Sequence, residues 1–190
     1  MDAMTLLTRR ASIGPKHLTE PGPDDGQLRQ MLEAALHAPD HGELVPYRFK
    51  VVRGGARQAM SRLFGEAARR AGKDDAGVAL DEERALLPPV TVAVIARQDM
   101  GHPQVPAHEQ WVALGGALTN FLNAAHALGF GGKMLSGAKA RDPGLVAAFC
   151  EPGETLVGWI ALGTPARAAK ARPPKAGADQ ALMTWQPPTR

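Results

Sequence analysis

The stretch His37-Ala38-Pro39-Asp40-His41-Gly42-Glu43-Leu44-Val45-Pro46-Tyr47-Arg48-Phe49 joins two kinds of local structure. On its N-terminal side, Leu28, Met31, Leu32, Ala35 and Leu36 recur at the spacing of one buried helical face. Asp24 or Asp25 can cap that helix. Pro39 disfavours helical geometry in the residue before it, so the helix ends near His37-Ala38. On its C-terminal side, the run RFKVVRG (48–54) alternates, with Phe49 and Val51 on one face, and predicts a strand. Two histidines four residues apart, an acid and a glycine fill the gap.

Working outward, DAMTLLTRR (2–10) predicts a short helix carrying Met4, Leu6 and Leu7, and residues 11–26 read as loop because Gly and Pro interrupt them. GARQAMSRLFGEAARRAG (55–72) predicts an amphipathic helix with Met60, Leu63, Phe64 and Ala67 inward. Residues 72–89 are polar and predict a mobile connection. VTVAVIA (90–96) has the β-branched density of a buried central strand. A loop over 98–108 leads to the longest periodic segment, 109–128, striped by Trp111, Leu114, Leu118, Phe121, Leu122, Ala125 and Leu128. Each of Gly115 and Gly116 costs about 1 kcal/mol against Ala inside a helix, so a close helix–helix approach is expected there. FGGKMLSG (130–137) reads as strand or loop. DPGLVAAFC (142–150) predicts a short helix with Pro143 at its start, and TLVGWIALGTP (155–165) a second buried strand. The pattern is an α+β layered domain over residues 1–165, followed by an arm over 166–190 whose Leu182, Met183 and Trp185 need a docking surface.

Composition narrows the function. A chain of 190 residues with 44% hydrophobic and 22% charged residues suits one globular domain. The net charge of +3 is spread along the chain with no basic block interleaved with aromatics, so no nucleic-acid partner is expected. Cys150 is the sole cysteine, which excludes an intrachain disulfide and cysteine-based metal clusters. No apolar run is long enough to span a bilayer, and no signal peptide is expected, which together read as a cytoplasmic protein.

The histidine pair leaves several readings open. As a zinc site it lacks a third ligand at a matching spacing, and Pro39 prevents His37 and His41 from sharing a helical face. No GxSxG elbow, GxxxxGK[ST] loop or GxGxxG turn occurs. The remaining readings are polar helix-end residues facing water, or a clamp for a ligand. RRAS (9–12) offers two guanidinium groups and a hydroxyl, a set suited to a phosphate.

In this order, RRAS, HAPDHGELVPYRF, the central apolar helix, GFGGKMLSG and VGWIALGTP resemble the flavin-dependent nitroreductase family, in its small YdjA-like NAD(P)H branch. The resemblance spans Met1 to about Pro165. It implies a mixed, mostly antiparallel central sheet flanked by helices, in an obligate homodimer with FMN at the interface and NADH or NADPH as hydride donor. Arg10, Ala11 and Ser12 match the segment that holds the FMN phosphate, although Ala11 lacks the side chain common in relatives. Asp40 and His41, with Pro39, match the segment that reaches the flavin from the partner subunit. His37 stands where close relatives carry Arg. Met134, Leu135, Ser136 and Gly137 match the segment along the isoalloxazine ring, where glycine lets backbone approach a flat ring. Residues 124–129 match the nicotinamide contacts of near relatives.

The resemblance further implies ping-pong reduction of nitroaromatic or quinone-like small molecules. No side chain is assigned as a catalytic nucleophile, acid or base, and no residue as a metal ligand. The departures at Ala11, at His37 and at Val45, where the wider family carries Gln, leave a second implication: a flavin-binding member with weak turnover, or a binding role. The long helix is expected at the dimer centre and the arm on the partner.

Overall fold

The computed structural model describes residues 2–167, 174 and 176–188. Among them are six α-helices and five strands. The order is α1 (Ala3–Arg9), β1 (Leu18–Thr19), α2 (Asp25–Leu36), β2 (Tyr47–Val52), α3 (Ala56–Arg70), α4 (Asp75–Ala85), β3 (Val90–Ala96), α5 (Ala107–Ala127), β4 (Gly131–Leu135), α6 (Pro143–Phe149) and β5 (Thr155–Pro165).

Every pairing is antiparallel. β5 is the hub: it pairs with β3, β4 and β1, and β3 pairs in turn with β2. β3 is buried along its whole length because both of its faces are covered. The pleat divides its side chains between two cores. Val90, Val92, Val94 and Ala96 join α2 and α5 residues Met31, Ala35, Leu114 and Phe121 on one face. Ala93 and Ile95 join Met60 and Ala67 of α3 and Leu145 and Phe149 of α6 on the other. β2 shares this arrangement. Phe49 stacks on Phe121 with ring centroids 5.2 Å apart. Val52 is buried in the second core, whereas on the face that Phe49 and Val51 share only Phe49 is covered and Val51 is exposed.

The capping of α2 resolves to Asp24. Its carboxylate accepts from Gln27 N–H at 2.8 Å, and the Gln27 side chain accepts from Asp24 N–H at 2.9 Å. The helix stops at His37, as Pro39 dictates. Gly116 lets α5 approach the end of α2, since a β-carbon there would lie 3.2 Å from Ala38 Cβ. Gly115 faces open space and takes no part in that approach. Trp111, expected in the buried stripe, is 41% exposed.

Two elements differ from expectation. Residues 72–89 are not a mobile connection: they contain α4, capped by Asp74 through Gly77 N–H and packed on α3. Val78, Asp81 and Ala85 form its buried stripe, in which an acid takes an apolar position. β1 is a two-residue strand within the expected loop, held by Leu18 opposite Pro165. The arm falls partly outside the described residues. Where described, Leu182, Met183 and Trp185 are exposed on the single chain. No helix among the described residues is long and apolar enough to cross a membrane.

Candidate functional site

The site is organised around β4, whose two ends meet two different cavities. α5 ends at Ala127 with Leu128 as its C-cap, and Gly129 takes a positive φ of 88° so that Phe130 N–H can return to the Ala125 carbonyl at 2.9 Å. That stop feeds the chain straight into Gly131-Gly132. The segment after α1 runs beside it, with Ile13 N–H donating to the Gly132 carbonyl at 3.2 Å. A cavity of about 390 Å³ opens there, lined by Arg10, Ala11, Ile13, His126, Gly129 and Gly132 among others.

The far end of β4 opens on a larger cavity of about 1190 Å³, beyond the ~300–1,000 Å³ of a site for one drug-sized ligand. Leu135 and Ser136 form part of its wall. Their backbone is held in two ways. Gly158, at φ 147°, brings β5 so near the Leu135 carbonyl oxygen that no β-carbon fits. Ser136 Oγ donates to the Val157 carbonyl at 2.8 Å. Apolar side chains of Met60, Phe64 and Trp159 also line the cavity, as do the cations Lys16, Arg84, Lys133 and Arg141.

Helix α4 supplies a cluster that the sequence reading did not single out. Asp81 is 5% exposed, and its Oδ2 accepts from both Lys73 Nζ and Lys139 Nζ at 2.7 Å. Burial pushes its carboxyl up, but the two ammonium hydrogen bonds and their charges outweigh burial and hold it below the usual range. All three side chains line the large cavity. The signal was present: Val78, Asp81 and Ala85 have helical spacing, and the stripe contains an acid. Nearby, Asp142 caps α6 through Leu145 N–H and takes two hydrogen bonds from Arg70, at 2.9 and 2.7 Å. Those Arg70 bonds lower its carboxyl to about 2.

The ten residues singled out from the sequence separate into groups. Arg10 and Ala11 line the smaller cavity, and Leu135 and Ser136 the larger. Ser12 is exposed between them, and Met134 turns to the opposite core. Gly137, at φ 125°, starts the turn into the short Ala138–Arg141 helix. His37, Asp40 and His41 line neither cavity. Their loop is strained. Gly42, Glu43 and Val45 have φ of 74°, 52° and 46°, a conformation that costs a β-branched residue about 1–3 kcal/mol. Asp40 Oδ2 secures it by accepting from Val45 N–H at 2.7 Å, while Oδ1 is buried without a partner among the described residues. His41 is tied to α5 by Glu109, with 2.6 Å between Nδ1 and Oε2. Its ring is largely exposed. Of the residues 124–129, His126 and Gly129 line the smaller cavity. Among the described residues, no three His, Cys, Asp or Glu side chains are grouped to hold a metal.

Comparison with known proteins bears on this arrangement. The profile of the nitroreductase family matches residues 7–164. The chain is 36% identical over 166 residues to the Escherichia coli K12 protein YdjA, whose name assigns it to the NAD(P)H nitroreductases, covering 87% of this chain and 89% of that one. Its fold is similar to that of a nitroreductase-like family protein from Bacillus cereus, with a TM-score of 0.83 at 20% identity, covering 98% and 97% of the two chains. It is similar also to the FMN-dependent nitroreductase NfnB of Mycobacterium smegmatis in complex with NADPH, with a TM-score of 0.73 at 15% identity, covering 97% and 98%. Family match and identity along most of the chain agree with the fold and with the order of the motifs: the chain belongs to the nitroreductase family of oxidoreductase enzymes.

Proposed function

We propose that this protein is an FMN-dependent NAD(P)H oxidoreductase that reduces nitroaromatic or quinone-like small molecules as a homodimer. The observation that carries the reading is the placement of Arg10 and Ala11 at one cavity of β4 and of Leu135 and Ser136 at the other, within a family whose relatives include an FMN-dependent enzyme.

The residues fit the cofactor. Arg10 offers a guanidinium for the phosphate, with Ser12 adjacent as a hydroxyl donor. Ala11 contributes backbone only. Leu135 and Ser136 offer the wall for the ring, with Met134 and Gly137 flanking them in the chain, and the Gly158 contact and the Ser136 hydrogen bond hold that wall in place. When bound, FMN supplies the redox chemistry, taking hydride from NADH or NADPH and passing it to the acceptor in ping-pong order. The protein binds, orients and excludes water, and no side chain of the site is assigned a bond-making role.

Features that one protomer leaves unfinished support the dimer. His37, Asp40 and His41 stand apart from both cavities, on the surface that would reach a second copy. Leu36 of α2 and Trp111 and Val112 of α5 expose apolar surface, as do Leu182, Met183 and Trp185 of the arm. In this reading residues 1–165 form the FMN-binding domain, α5 lies at the dimer centre and the arm over 166–190 crosses the partner. An NAD(P)H-dependent enzyme with one unpaired cysteine belongs in the cytoplasm.

The test is the visible spectrum of the purified protein before and after anaerobic NADPH. Flavin absorbance that bleaches supports the reading. A colourless protein that takes up no added FMN overturns it.

A further inference from the structure

The large cavity holds charge that the flavin reading does not use. Seven cationic side chains line it, against two acids, Asp81 and Asp142. Asp81 pairs with Lys73 and Lys139, and Asp142 with Arg70. Lys16, Arg84, Lys133 and Arg141 have no acidic partner among the described residues, and all four are exposed. Below them the lining is apolar and aromatic, with Met60, Phe64 and Trp159. Two polar atoms there, Thr91 Oγ1 and Trp159 Nε1, are buried and have no hydrogen-bond partner among the described residues. Unpaired cations above a low-dielectric wall draw anions strongly.

We propose that this cavity selects acceptors that carry a carboxylate or another anionic group on a flat ring, the ring lying over the apolar lining and the anion meeting Lys133, Arg141, Lys16 and Arg84. The proposal rests on the flavin reading in one respect: the flavin phosphate is placed with Arg10–Ser12. Arg10 lines the smaller cavity, and so do His126 and Gly129 of the segment matched to nicotinamide contacts. The cofactor phosphate therefore leaves the cations of the large cavity free. Its volume of about 1190 Å³ leaves room for a second ring beside a flavin.

The test is calorimetric titration of the FMN-saturated protein with benzoate and with its neutral isostere benzamide, which needs no turnover. The expected result is benzoate binding roughly tenfold tighter than benzamide, as a charge-assisted contact gives. That preference shrinks several-fold as NaCl rises from about 0.05 to about 0.5 M. It also falls to near unity in the Lys133→Gln, Arg141→Gln double variant, whose exposed positions keep both substitutions out of the core and whose Tm checks the fold. Equal binding of the two probes, or a preference indifferent to salt and to the variant, overturns the proposal. A preference seen in FMN-free protein and lost on FMN saturation assigns the cations to the flavin phosphate and overturns it too. Displacement of benzoate by adenosine 2′,5′-bisphosphate assigns them to the donor, with the same consequence. Failure of the reductase reading shows separately, as absence of flavin bleaching by NADPH.

Discussion

Gly158 of β5 and the carbonyl oxygen of Leu135 on β4 stand closer than any residue with a β-carbon permits. The contact sits where β3 and β5 shift register beside Val94/Ile95 and where Gly158 adopts φ 147°. It fixes the strand end from which Ser136 and Gly137 turn away along the large cavity. Gly158→Ala meets both a steric conflict and an unfavourable φ, so it should cost at least about 2 kcal/mol. For a chain of this length that is a Tm loss of roughly 4–8 °C. Differential scanning fluorimetry measures it, and weaker FMN uptake by the folded fraction should accompany it. An unchanged Tm would show that β5 relaxes freely at this point.

Asp142 and Asp81 contribute to the acid limit of the fold. Both have folded pKa values below the unfolded value of 3.8, Asp142 reaching about 2. Groups with depressed values contribute stability that is complete above the unfolded pKa and is lost as pH falls through the folded one. Unfolding followed by circular dichroism should therefore show stability falling from about pH 4 towards pH 2. Asp142→Asn removes the Arg70 ion pair and should flatten that fall while lowering stability at neutral pH. A variant with the wild-type acid profile would count against the assignment.

Glu109 holds His41 at 2.6 Å, and both side chains are substantially exposed. Exposed ion pairs contribute about 0–1 kcal/mol, so Glu109→Gln should move Tm by no more than about 4 °C. If His41 is delivered to the partner's flavin, the same variant should weaken FMN binding about threefold to tenfold, read from flavin fluorescence on titration. Unaltered affinity would separate His41 from the cofactor.

Val112 is 70% exposed on α5, beside Trp111. Val112→Glu places a charge on the face assigned to the dimer centre. Wild-type protein should elute as a dimer of the 20.1 kDa chain, and the variant as a monomer with its helical signal intact. Monomeric wild-type protein would sink the interface, and with it the role given to His37, Asp40 and His41.

Local signals carried much of this protein. The stop of α2 at His37, the Asp24 cap, the buried β3 and the paired glycines after α5 each depend on neighbours a few residues away, so proline, capping acids and hydrophobic period disclose them. Contacts distant in sequence were not disclosed. Helix α4 looks too polar to bury, yet Lys73 and Lys139, on opposite sides of it in the chain, neutralise Asp81 and make its burial tolerable. Trp111 follows the helical period but faces outward, because period fixes a face and only packing decides what covers it. The candidate site divides the same way. Sequence named the candidate groups, Arg10 to Ser12, His37, Asp40, His41 and residues 134–137. The division of Arg10 and Leu135 between the two cavities flanking one edge strand, and the separation of His41 from both, were settled by tertiary structure, since sheet register and strand order depend on pairings between residues far apart in the chain.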